Sequence, residues 1–169
     1  MIDHKQELIL ESRLENMTQV ERFVEGISDF YNINHNYFGN LLVSVTEAFK
    51  NAVIHGNQLN PDKKVTLTFT PAAFGLTFSV EDEGSGFDYK AIPDPTDPAL
   101  PEDEPHARGI YLIRKLSDQV VFKDPGNRVQ IDFHIASINY ELSVNRAKML
   151  NQYFNESVLK TQKSEQKKF

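Results

Sequence analysis

Between Asn36 and Asn57 the chain reads NYFGNLLVSVTEAFKNAVIHGN. Wound at about 100° per residue, it puts Phe38, Leu41, Leu42, Val45, Phe49, Ala52 and Val53 on one continuous arc. An apolar arc of that width has to be covered, which predicts a central helix packed on a second layer. A row of Ser44, Glu47, Asn51 and His55 runs along the edge of the arc at spacings of three and four, meeting it at Ala48. An ordinary amphipathic helix sets its charged side chains opposite the core. Here a carboxylate, a carboxamide and an imidazole line the border of the buried face, where a gap under the helix would become a pocket. A solvated helix shoulder has the same pattern, so the choice between the two turns on the rest of the chain.

Upstream, Glu7 to Glu11 (ELILE) is short and apolar in the middle, as an edge strand is. Val20, Phe23, Val24, Ile27, Phe30 and Tyr31 then recur at helical spacing, with Thr18 as candidate N-cap and Glu21 three residues on. Beyond the central helix, which should stop at Gly56, the period changes to two. Val65, Leu67 and Phe69 alternate with threonines, and Leu76, Phe78 and Val80 alternate with polar residues after a turn at Pro71 to Gly75. Val120 to Phe122 leads through Asp124-Pro125-Gly126-Asn127 into the alternating Val129, Ile131, Phe133 and Ile135. Strands with one apolar and one polar face belong to a sheet covered on one side only. The expected fold is therefore a two-layer α/β (α+β) sandwich, with a mixed or antiparallel sheet and its helices on one face.

The chain's 169 residues suit one domain with a short appendage. A net charge of −6 argues against a generic nucleic-acid binder, whose phosphate contacts need a basic surface. Without cysteine there is no disulfide, thiolate nucleophile or cysteine-bound metal to consider. The first ten residues lack a secretory pattern and no apolar run approaches the ~20 residues of a membrane span. The expectation is a soluble cytoplasmic protein that does not engage a membrane.

Strand parity carries the next step. Asp82 continues the even register of Leu76, Phe78 and Val80, so a carboxylate is aimed at the helix layer where the strand ends, and such a charge needs a partner. Glu83-Gly84-Ser85-Gly86-Phe87 follows, with two glycines that permit a tight turn and close backbone approach. From residue 88 to 107 about twenty residues have no periodicity, with five of the eight prolines and six acids. The segment ends in Arg108-Gly109 and a helix, Ile110 to Leu116, whose bare N-terminal amides beside an arginine would suit phosphate.

These features occur in a fixed order. Glu47-Ala-Phe-Lys-Asn51-Ala-Val-Ile-His55-Gly-Asn resembles the N-box of the GHKL ATPase superfamily, Asp82-Glu-Gly84-Ser-Gly86-Phe resembles its G1 box, and Arg108-Gly109-Ile-Tyr-Leu-Ile its G2 box. The N-box form, the short length and the proline-rich lid are most similar to the anti-sigma factor serine/threonine kinases, from about Glu7 to Ile135. The resemblance implies the Bergerat ATP-binding fold, with ATP and Mg²⁺ as cofactors. Asn51 would bind Mg²⁺, Asp82 would accept from the adenine amino group, Gly84 and Gly86 would let the backbone close over the base, and Arg108 with the Gly109 amide would hold the phosphates. Glu47 would be the catalytic base or orienting group for an incoming serine or threonine hydroxyl, and His55 would either contact nucleotide or serve the packing. Ala107 departs from the family, which usually has glycine there.

The implied function is that of a transcription regulator that sequesters a sigma factor and phosphorylates serine or threonine of an antagonist protein. The alternatives are a non-catalytic ATP-dependent partner-switch module and a stand-alone histidine-kinase-type catalytic domain, the latter disfavoured because no helical dimerisation segment precedes the N-box. The kinase domain is expected over 1–136. Residues 137–169 form an extension in which Tyr140, Val144, Ala147, Leu150, Phe154 and Val158 suit a helix, packed on the flank or docking a partner or a second copy.

Overall fold

The fold was taken from a computed structural model, which describes residues 5–73, 75–93, 98, 105–135, 148, 151–152 and 155. Strand β1 (Gln6–Glu11) leads through a 3-10 turn at Leu14–Asn16 into helix α1 (Met17–Phe30), followed by α2 (His35–Asn51). The hairpin of β2 (Lys64–Ala72) and β3 (Gly75–Asp82) comes next, then α3 (Pro105–Leu116), β4 (Gln119–Lys123) and β5 (Arg128–His134). The five strands form one sheet in the order β1-β2-β3-β5-β4, every neighbouring pair antiparallel. The two-layer sandwich is thus observed, with the sheet antiparallel rather than mixed and β1 at one edge.

Alternation decides the layers. Leu10, Val65, Leu67, Phe69, Leu76, Phe78, Val80, Val129, Ile131 and Phe133 are buried with Val20, Val24 and Ile27 of α1, Leu41, Val45 and Phe49 of α2, and Ile113 of α3. Phe69 pairs with Phe78 across β2 and β3 with ring centroids 5.3 Å apart, and Phe78 meets Phe133 at 6.2 Å. The other face carries cross-strand polar pairs, such as Thr77 donating to Asp132 Oδ1 at 2.6 Å. Phe30, expected inside, is 47% exposed at the last residue of α1.

Several expected boundaries move. Thr18 does not cap α1: the 3-10 turn runs straight into the helix, Asn16 stands at the cap position without a side-chain cap bond, and its amide is spent on the Glu11 carbonyl at 2.9 Å. Helix α2 is capped by Asn34, whose side chain accepts from the Asn36 amide at 3.0 Å. It does not continue as an α-helix to Gly56: Ala52–Gly56 forms a single π turn, in which the Asn57 amide reaches the Ala52 carbonyl at 2.8 Å. The residues that turn left-handed are Gln58 and Leu59, so Gly56 is not there for its backbone angles.

The helix expected from Ile110 begins at Pro105, which fits a first helical turn because it has no amide to leave unbonded. Residues 89–91 also form a short 3-10 turn inside the stretch expected to be irregular. Residues 94–97 and 99–104, and Tyr140, Val144, Ala147, Leu150, Phe154 and Val158 of the extension, lie outside the described residues. Among those described, no helix is long and apolar enough to cross a membrane.

Burial sets what each core position contributes. Phe49→Ala, at a site with 0% exposure, is expected to cost about 3–5 kcal/mol in urea unfolding, and Phe30→Ala less than about 1 kcal/mol. Equal losses at the two positions would contradict this assignment of the helix faces.

Candidate functional site

The central helix approaches the sheet closely because its sheet-facing edge ends in small residues. Ala48, Ala52 and Gly56 follow one another at spacings of four and line a cleft between the layers. The sheet supplies Val80 and Asp82 from β3 and Val129 from β5, α3 supplies Ile110 and Ile113, and the cleft measures about 520 Å³, open to solvent. Asn51, His55 and Gly86 also line it.

Asp82 is the polar centre of the cleft's inner end. A Cβ at Gly56 would overlap its carboxylate, and one at Gly84 would overlap the Gly56 carbonyl oxygen. The two glycines therefore make the seat in which the carboxylate rests. Inside it, Oδ1 accepts from the Gly84 amide at 2.7 Å. Burial pushes the Asp82 carboxyl above its usual value of 3.8; the Gly84 hydrogen bond and the Lys63 charge pull the other way, and Glu81 adds to the rise.

The β4–β5 hairpin turn forms the back wall. Gly86, at φ +83°, brings the chain against the Pro125 carbonyl, and only glycine takes that angle without strain. Phe87 packs edge-on to Phe122 at 5.4 Å, Tyr89 stacks on Phe122 at 5.3 Å, and the Tyr89 hydroxyl donates to Asp124 Oδ1 at 2.6 Å. The start of the proline-rich segment is thus tied to the hairpin.

At the outer end, α3 crosses α2. A Cβ at Gly109 would stand 2.9 Å from Glu47 Oε2 and 3.2–3.3 Å from the Asn51 amide atoms. Glycine here leaves open the space that a methyl group would take over two half-buried oxygen-bearing side chains. Those oxygens, one helical turn apart, are hard donors of the kind Mg²⁺ takes, so the donor set fits that ion.

The structure brings Asn51, His55, Asp82 and Gly86 to one cleft, puts Gly84 behind the carboxylate, and sets Glu47 and Gly109 together beside Asn51. One expectation needs correction. Gly109 does not begin a helix: it lies in the second turn of α3, where amides are already committed to intrahelical bonds, so it contributes absence of bulk rather than a free N–H. Arg108 sits on the exposed side of α3 and is not among the cleft-lining residues. His55, within the π turn, is exposed and lines the cleft. Ser44, in the same row, is fully buried away from the cleft.

Sequence reasoning missed the Ala48, Ala52 and Gly56 ridge, Phe122, and Asn127 of the hairpin turn. The ridge had a signal in its spacing of four. The turn had one only as a turn.

Two comparisons with known proteins bear on this geometry. The family described as histidine kinase-like ATPase domain matches residues 10–133. No curated protein matches the chain.

Asp82 gives a test in the absence of ligand. An acid whose pKa is higher folded than unfolded subtracts stability once pH rises past its unfolded value, and the loss is complete above the folded one. Asp82→Asn keeps an oxygen for the Gly84 amide and removes the charge. Its melting temperature without nucleotide should exceed the wild type's at neutral pH, with the gain shrinking as pH falls towards about 3.8. An unchanged or lower melting temperature at neutral pH would contradict a charge held at a cost in the seat.

Proposed function

The chain belongs to the histidine kinase-like ATPase domains, and we propose that within that family it is an ATP-dependent protein serine/threonine kinase of the anti-sigma type. In this reading it sequesters a sigma factor or similar regulator and phosphorylates a small antagonist protein. Family membership speaks for ATP binding. The transfer to a hydroxyl and the partners are our reading.

The observation that carries it is the pairing of two ends in one cleft. A seated carboxylate at the inner end is suited to a base that presents an amino group, and two oxygen-bearing side chains at the outer end, Glu47 and Asn51, are suited to a metal-bound phosphate tail. Asp82 would accept from the exocyclic amino group of adenine, with Ala52, Val80, Ile113 and Val129 offering apolar surface around the base. Asn51 would hold Mg²⁺, which when bound supplies charge neutralisation on the phosphates. His55, exposed at the cleft, and Arg108, on the exposed side of α3, are proposed as contacts at the phosphate end.

Glu47 is the proposed base. As the oxygen of a serine or threonine hydroxyl forms its bond to the γ-phosphorus, the bond from that phosphorus to the bridging oxygen breaks and ADP leaves. The hydroxyl proton passes to the Glu47 carboxylate. Such a transfer asks the protein mainly for positioning and charge, which a carboxylate one turn from the metal ligand provides.

Mg-ATP at a hundred times its Kd should stabilise the fold by about 2.7 kcal/mol, and Asn51→Ala should remove most of the corresponding rise in melting temperature. Glu47→Gln should keep nucleotide affinity within a few fold while transfer of labelled γ-phosphate to an antagonist protein falls by about 10²–10⁴. Undiminished transfer by Glu47→Gln would overturn its role as base. Acid-labile phosphate in the product would favour a histidine acceptor over a hydroxyl.

A further inference from the structure

The Asp82 carboxylate can select a base only if the main chain that carries it does not move. Strand pairing holds that chain on one side only: β2 pairs Asp82 with Val65, but the β3–β5 ladder ends at the pair Glu81–Arg128, one residue short of Asp82. Asn127 extends it. The Asp82 amide donates to the Asn127 carbonyl at 2.9 Å, and the Asn127 side-chain Nδ2 donates to the Asp82 carbonyl at 3.0 Å. A carboxamide thus does the work of a strand amide, while the main-chain carbonyl of the same residue makes the other bond.

Asn57 secures the next peptide. It has 0% exposure; its Oδ1 accepts from the Glu83 amide and its Nδ2 donates to the Lys64 carbonyl, both at 2.9 Å. Glu83 returns the tie by accepting from the Lys64 amide at 2.7 Å. Two asparagines from opposite sides therefore fix the backbone on either side of the Asp82 side chain, where the strand gives way to the glycine turn.

We infer that Asn127, with Asn57 behind it, is a positioning residue that sets the discrimination of this cleft between adenine and guanine nucleotides. The inference rests on reading the cleft as an adenine nucleotide site. Adenine offers an amino donor where guanine has a carbonyl oxygen, which a fixed carboxylate repels. Guanine carries its own donors, N1–H and the 2-amino group, further round the ring. A carboxylate free to shift would accept from them, so a clamp on the Asp82 backbone excludes guanine by denying that movement. Asn127 also lines the cleft, so its side chain acts at the site itself.

The test is the Kd of the full chain for Mg-ATP and Mg-GTP by calorimetry, together with the melting temperature without nucleotide, for wild type and Asn127→Ala. Losing one backbone hydrogen bond is expected to weaken Mg-ATP by up to about tenfold and to leave Mg-GTP unchanged or tighter, so that the ATP-to-GTP ratio falls at least as far. Asn127→Ser, which keeps a short donor, should recover part of the ratio, and it repeats the measurement if the alanine variant does not fold. Equal weakening of both nucleotides, or a lower melting temperature with the ratio intact, would overturn the inference and leave Asn127 a structural residue. A wild-type chain that binds no Mg-ATP would instead remove the adenine-site reading, and this inference with it.

Discussion

Everything in this molecule is arranged around a carboxylate that water would hold more cheaply. Asp82 stands at the end of β3 with its oxygens against Gly56 and Gly84, and burial raises its pKa. A half-buried charge with one amide hydrogen bond is under-compensated by its own protein. The chain tolerates it because the layers around it are well packed, from Phe69 and Phe78 in the sheet to Phe49 in the helix above. The unmet acceptor capacity is also what makes the position useful, since a donor arriving from a ligand restores part of what folding removed.

That constraint explains features that local rules do not. Gly56 ends the N-box helix and looks like a C-cap, yet its φ is not positive, and the left-handed residues come later at Gln58 and Leu59. It is glycine because the Asp82 carboxylate occupies the place of its side chain. The π turn at Ala52–Gly56 leads straight into Asn57, which is buried and bonded to both β2 and the end of β3, while His55 within the turn is exposed at the cleft.

This divides what was legible in the sequence from what was not. Alternation in β2, β3 and β5 gave the strands, their covered face and the inward aim of Asp82, because period two fixes sidedness without reference to anything distant. Helical spacing gave the core face of α2 through Leu41, Val45 and Phe49 for the same reason. The start of α3 escaped because Arg108-Gly109 looks like a boundary locally, while Pro105 earlier in the chain is equally suited to a first turn and tertiary packing of Gly109 on Glu47 settles the choice. The hairpin's part in the site escaped too. Asp124-Pro125-Gly126-Asn127 announces a turn, but nothing in those four residues says that the turn docks on Gly86 and Phe87 some forty positions earlier.

The two ends of the cleft are built by different means, and on the proposed nucleotide reading the difference follows from what each would recognise. A base is flat and rigid and is told apart from its rivals by the place of single hydrogen atoms, so the inner end is made of backbone held on both sides: a strand terminus, two glycines, and asparagines that continue the ladder. A phosphate tail is flexible, highly charged and alike in all nucleotides, so steering it needs charge and reach more than fixed geometry. The outer end accordingly consists of side chains on two helices, Glu47 and Asn51 of α2 facing Gly109 of α3, with no strand backbone among them. Helices that pack through a glycine can shift relative to each other at the cost of a few side-chain contacts, whereas moving Asp82 means breaking hydrogen bonds that tie the main chain of residues 82 and 83 to two other segments, at Asn127 and Asn57. On that reading selectivity would reside in the sheet, and whatever accommodation the ligand requires would fall to the helix layer.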